Sequence, residues 1–139
     1  MIKKLGLAAL ALASLAAPAL AAEKMTVETS DGCSFDIALR SDIAPKHVAQ
    51  YTKLAKAGFY DGVVFHRVIE GFMAQTGDPT GTGMGGSNEP DIPAEFSSAH
   101  FGRGAVGAAR TQDPNSANSQ FFIMFADGGF LDGEYTVWG

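Results

Sequence analysis

One cysteine in 139 residues, Cys33, leaves this chain no internal disulfide and no thiolate metal cage. None of its three histidines belongs to an H-E-x-x-H pair, and no C-x-x-C occurs. No serine sits in a G-x-S-x-G elbow. Carboxylates that could pair, such as Glu89 and Asp91, lie in a loop so polar that they read as hydrated. Hydrolysis, metal catalysis and phosphoryl transfer therefore lack their usual parts, and neither metal nor cofactor is expected. Basic runs are missing as well. The formal net charge is −5, with no cationic cluster beyond the N-terminus, which argues against a nucleic-acid partner. Gly81-Thr82-Gly83-Met84-Gly85-Gly86 formally matches G-x-G-x-x-G, but Ser87-Asn88-Glu89-Pro90-Asp91 after it is poor helix sequence. A flexible surface loop is the better reading of that segment.

Long apolar runs are absent except at the start. Lys3 and Lys4 precede an alanine-rich apolar stretch, and Ala19-Leu20-Ala21 forms an A-x-A cleavage site. The expected organisation is an export signal over 1–21 and one domain over 22–139, located in the periplasm without stable membrane association. An uncleaved anchor is the alternative, since the run approaches spanning length; Pro18 and the cleavage site weigh against it. For Cys33 the expectation is a small buried core residue, with a reactive or intermolecular thiol as the alternative.

What is plentiful is glycine, with 17 residues, and phenylalanine, with 10. That mixture suits many tight turns around an aromatic core, an all-β architecture. Residues 25–29 alternate, Asp31-Gly32 turns the chain, and 33–39 returns it as a hairpin. Ala44, Val48, Tyr51 and Ala55, with Leu54, recur at helical spacing; Ser41 or Asp42 would cap this helix, Pro45 fits its first turn, and Gly58 ends it. Lys46, His47, Lys53 and Lys56 fall on its expected wet side. Further strands are read at 63–69, 72–76, 104–110, 120–125 and 135–138.

The segment Phe65-His66-Arg67-Val68-Ile69-Glu70-Gly71-Phe72-Met73-Ala74-Gln75 carries the chemistry. On extended backbone Arg67, Ile69, Met73 and Gln75 share parity, and Gly71 marks a bend or bulge. A permanent cation beside an apolar patch suits a greasy, uncharged, hydrogen-bonding substrate such as a peptide. One reaction needs no titrating nucleophile. Rotation about an X–Pro bond faces a barrier of about 18–20 kcal/mol set by amide resonance. Its twisted transition state returns electron density to the nitrogen, where a fixed donor stabilises it more than the planar ground state.

Phe65-His66-Arg67-Val68-Ile69-x-Gly71-Phe72-Met73-x-Gln75 resembles the signature of cyclophilin-type peptidyl-prolyl isomerases. Ser119-Gln120-Phe121-Phe122-Ile123 and Phe130-Leu131-Asp132-Gly133 resemble two further family motifs, and Ala44-Pro45-Lys46-His47-Val48 the start of the family's first helix. The resemblance runs from about Met25 to Gly139. It implies a cyclophilin-like eight-stranded antiparallel barrel with capping helices, and a last helix and closing strand beyond Gly139 that this sequence lacks, as a truncated record would. It implies that Arg67 is catalytic and that Gln75 holds it. Phe72, Met73, Phe122 and Leu131 would form the proline pocket; Arg110, Thr111 and Gln112 would contact the extended peptide, with polar help from Gln120. His66 would face away as a supporting residue. Phe130, where many eukaryotic members carry tryptophan, and Tyr135, where they carry histidine, would also bind substrate at the pocket edge. Cyclosporin binding is accordingly expected to be weak, because Phe130 offers no indole N–H. The implied partners are proline-containing peptides and unfolded exported proteins, met by a monomer. A peptide-binding or chaperone module with little turnover, or an inactive fragment, are the competing readings.

Overall fold

Alternating residues at the start of the domain close into the expected hairpin: β1 (Lys24–Glu28) pairs antiparallel with β2 (Ser34–Ala38), Val27 opposite Phe35 and Met25 opposite Ile37. The computed structural model describes residues 23–139, so the export signal read at 1–21 lies outside the described residues. Cys33 sits at the exposed end of this hairpin rather than in the core.

The helix α1 (Pro45–Lys56) buries Val48, Tyr51 and Leu54 at the expected spacing, and Gly58 follows with φ of 75° as a left-handed stop. Its start differs from expectation. Ala44 is the N-cap residue and carries no capping side chain, while Asp42 is engaged by Arg40 at 2.9 Å. The cap instead arrives from a distant loop. Glu95 accepts the Lys46 and His47 amides at 3.2 and 2.9 Å and the His47 Nδ1–H at 2.7 Å. A carboxylate at this end also meets the positive pole of the helix. His47 is therefore buried, not solvated. Burial lowers its pKa against the opposing pull of Glu95, which keeps the ring a neutral donor to that carboxylate.

The second sheet has the order β3 (Arg67–Ile69), β4 (Met73–Thr76), β6 (Phe121–Met124), β5 (Val106–Ala108), antiparallel throughout. The parity read from the sequence holds, with the bend at Gly71 closing the two strands into a hairpin. Phe72 N–H donates to Ile69 C=O at 3.0 Å, and Gly71 turns with φ of 71°. A side chain there would be strained, which is why glycine occupies the position. The register then places Arg67 opposite Gln75 and Ile69 opposite Met73.

A 3₁₀ turn spans Gly129–Leu131, and α1 is the one α-helix among the described residues. The strand expected at 135–138 runs beside β5. Ala108 N–H donates to Thr136 C=O and Trp138 N–H to Val106 C=O, both at 3.0 Å, and Arg40 N–H reaches Trp138 C=O at 2.9 Å. This segment thus ties the two sheets together. Among the described residues there are six strands in sheets of two and four, and the barrel is not closed. Residues 63–66 form no ladder; their nearest tie to β4 is the Thr76 hydroxyl donating to Val64 C=O.

Alternation along β6 divides the interior. Phe121 joins Tyr51, Val48, Ile37 and Trp138 in the core beneath α1. Phe122 and Met124 point the other way and join Met73, Phe101, Leu131 and Val137. The second cluster underlies the functional face.

Candidate active site

Register alone assembles a row across the sheet. Arg67 on β3 faces Gln75 on β4, Gln75 faces Phe122 on β6, and Phe122 faces Gly107 on β5. Cross-strand partners share a face, so the arginine and the aromatic ring look into the same space. Gly107 is required there: a Cβ would lie 2.4 Å from the Phe122 ring and 2.6 Å from Phe101. The absent side chain lets Phe122 lie down as a floor.

The result is an open recess of about 390 Å³ lined by Phe72, Met73, Phe122 and Leu131, with Arg67 and Gln75 on one lip and Arg110 and Tyr135 on the other. A volume of this order falls within the range of small-ligand sites. The two arginines are not equivalent. Arg110 donates to Glu134 C=O and Thr111 C=O and lies 4.4 Å over the Tyr135 ring, so its guanidinium is engaged. Arg67 is exposed and makes one side-chain hydrogen bond among the described residues, to Gln75 Oε1 at 3.3 Å. Of the two arginines, Arg67 has more donors to spare at the recess.

The other residues expected at the site are placed unevenly. Thr111 and Gln120 line a neighbouring groove, also about 390 Å³, that shares Gln75 and Arg110 with the recess. Phe130 stands 70% exposed beside the recess, its ring 5.6 Å from that of Phe72. Gln112 is exposed and lines neither space. His66, expected to face away, lines the recess, and both its ring nitrogens are buried without a hydrogen-bond partner. Strand parity failed for it because the ladder begins only at Arg67. Thr82 and Gly83 also line the recess. They belong to the segment read as a flexible surface loop, which is in fact organised around a buried carboxylate, Asp78.

The turn carrying Phe130 and Leu131 is clasped from below. His100 Nδ1 meets Asp132 and Nε2 meets Asp127, each at 2.6 Å. Asp132 and then Asp127 raise the imidazolium pKa to about 9. A raised pKa contributes stability that is complete below the unfolded value of about 6.5 and is lost as pH climbs through the folded value. The melting-temperature advantage of the native chain over His100→Gln should thus be full near pH 6 and fade as pH rises through about 9. A difference that stays constant over that window would exclude the charged clasp.

Among the described residues no helix is long and apolar enough to cross a membrane, and no group of three or more His, Cys, Asp or Glu is placed to hold a metal ion.

Fold and site together define a sheet protein with an arginine-lipped apolar recess on one face. A family model described as cyclophilin type peptidyl-prolyl cis-trans isomerase matches residues 24–139, and the chain belongs to that family. A probable peptidyl-prolyl cis-trans isomerase of Brucella suis is 61% identical over 114 residues, covering 74% of this chain and 58% of that protein. The chain thus spans little more than half the length of that relative. A peptidyl-prolyl cis-trans isomerase-like 1 of Emericella nidulans is 43% identical, covering 83% of this chain and 72% of that protein. Among solved structures, a Cryptosporidium parvum cyclophilin type isomerase crystallised in the presence of the dipeptide Ala-Pro superposes with a TM-score of 0.79 at 32% identity, covering 84% of this chain and 77% of that one. A cyclophilin from Hirschia baltica gives 0.76 at 30% identity, with 85% and 63% covered.

Proposed function

We propose that this chain is a peptidyl-prolyl cis-trans isomerase that accelerates rotation of X–Pro bonds and assists the folding of exported proteins. The observation that carries the reading is Arg67, a cation with unspent donors held by Gln75 at the lip of an apolar recess. Phe72, Met73, Phe122 and Leu131 grip the proline ring. The Arg67 guanidinium donates to the prolyl nitrogen as the amide twists, a bond stronger in the transition state than in the planar ground state. No bond is made or broken and no proton changes hands. Arg110 and Thr111 border the groove in which the rest of an extended peptide lies, and Gln120 lends it a polar contact. The dipeptide named with the Cryptosporidium structure supports a proline-containing substrate. The signal-like sequence at 1–21 supports action in the periplasm, and Phe130, with no N–H at the rim, supports weak cyclosporin binding.

Cis-to-trans conversion of a proline tetrapeptide tests this reading. The rate should be nearly flat roughly between pH 6 and 8, because no histidine-like group titrates in the chemical step. Binding without turnover would make the chain a peptide-binding module, and a steep histidine-like profile would exclude the arginine mechanism.

A further inference from the structure

The carboxylate that organises the glycine-rich loop lies outside the recess. Asp78 is fully buried and lines neither groove. Its Oδ1 accepts the Thr80 amide and hydroxyl, both at 2.8 Å. Its Oδ2 accepts the amides of Thr82, Gly83 and Gly85 at 3.1, 2.6 and 3.1 Å. Burial alone would raise this carboxyl's pKa; the bonds from Thr80, Gly85 and Gly83 outweigh it and hold the group far below the usual carboxylate range. The loop is therefore wound around a permanent anion.

The same loop turns the Gly83 and Gly85 carbonyls toward the sheet. Both accept from Gln120 Nε2, at 3.0 and 2.9 Å. Carbonyl oxygens only accept, so the nitrogen end of the Gln120 amide must face them. Its oxygen is then turned to Gln75, whose Nε2 donates to it at 2.9 Å. That bond in turn leaves the Gln75 oxygen facing Arg67. The opposite Gln75 orientation would set an NH₂ against a guanidinium, donor against donor, and release the arginine.

We propose that Asp78 is a positioning residue for Arg67, acting through the Gly83 and Gly85 carbonyls, Gln120 and Gln75 to set which end of the Gln75 amide the arginine meets. The catalytic part of this inference rests on the isomerase reading; the relay itself does not.

Asp78→Asn puts an NH₂ among amides that need an acceptor. It should lower kcat/KM about tenfold with KM little changed, since misplacing a reacting group by about 1 Å can cost up to ~10²-fold. The discriminating measurement is a double-mutant cycle. In a Gln75→Leu background Asp78→Asn should cost nothing further, because its route to Arg67 is already cut. Equal losses in both backgrounds would mean a general structural role and overturn the proposal. Gln120→Leu, run through the same cycle, keeps the question open to refutation if Asp78→Asn does not fold. Side-chain amide NMR supplies a readout independent of turnover. The Gln75 NH₂ signals should shift in Asp78→Asn or Gln120→Leu, and unmoved signals would refute the relay even in a chain that isomerises peptide. Shifted signals in a chain without isomerase activity would instead retire the enzymatic reading alone.

Discussion

Arg67→Ala should lower kcat/KM by roughly two orders of magnitude or more, the usual consequence of removing one preorganised transition-state donor. The melting temperature should barely move. Arg67 is exposed, lies on the edge strand β3, and makes a single side-chain hydrogen bond among the described residues. Exposed substitutions of this kind change stability by about 0.5 kcal/mol or less. Arg67→Lys should recover little. A lysine keeps the charge but cannot hold a planar fork between Gln75 and a prolyl nitrogen. Arg110→Ala offers the internal comparison. Its guanidinium is committed to Glu134 C=O, Thr111 C=O and the Tyr135 ring, so its loss should weaken peptide binding more than it slows rotation. Measured kcat and KM for the two variants separate these roles, and an Arg67→Ala enzyme within a factor of three of wild type would remove Arg67 from the chemistry.

The largest stability effect is expected at Trp138. It is wholly buried, stacked on Tyr51 with ring centroids 4.3 Å apart and set edge-on to Phe121 at 5.3 Å. Its backbone bonds both β5 and Arg40. Trp138→Ala should cost about 3–5 kcal/mol through lost burial and the cavity left behind. In a domain of this size that is a fall of at least ~10 °C in Tm. Phe130→Ala, at a ring left 70% exposed, should stay within about 0.5 kcal/mol. Equal denaturant midpoints for the two variants would show that the sheets do not depend on the Trp138 joint.

Much of this architecture is legible along the chain because its signals are local. The β1–β2 hairpin follows from alternation and an Asp31-Gly32 turn. The inward face of α1 follows from helical spacing. The shared face of Arg67 and Gln75 follows from parity, and a hairpin about Gly71 preserves it because three residues separate Ile69 from Met73. The misreadings at α1 and at the glycine-rich segment have one cause. The cap of α1 is Glu95, nearly fifty residues downstream, and only the folded loop brings it to Lys46 and His47. The same contact buries His47, which composition and helical phase had placed in water. The glycine-rich segment beginning at Gly81 reads as slack because its organiser, Asp78, looks in sequence like any polar loop residue.

Sequence by itself determined which side chains could do chemistry here. Titrating nucleophiles, metal ligands and phosphate loops were missing, and an arginine, a glutamine and apolar rings were left in a recognisable order. Only tertiary structure decided which arginine is free. The motif sets Arg67 apart from Arg110 but does not say what occupies either guanidinium. They differ because the Glu134 carbonyl and the Tyr135 ring occupy one, while the other meets a single amide oxygen whose direction is set at Asp78. Donor availability depends on contacts between residues far apart in the chain, and those exist only once the sheet and its loops have closed on one another.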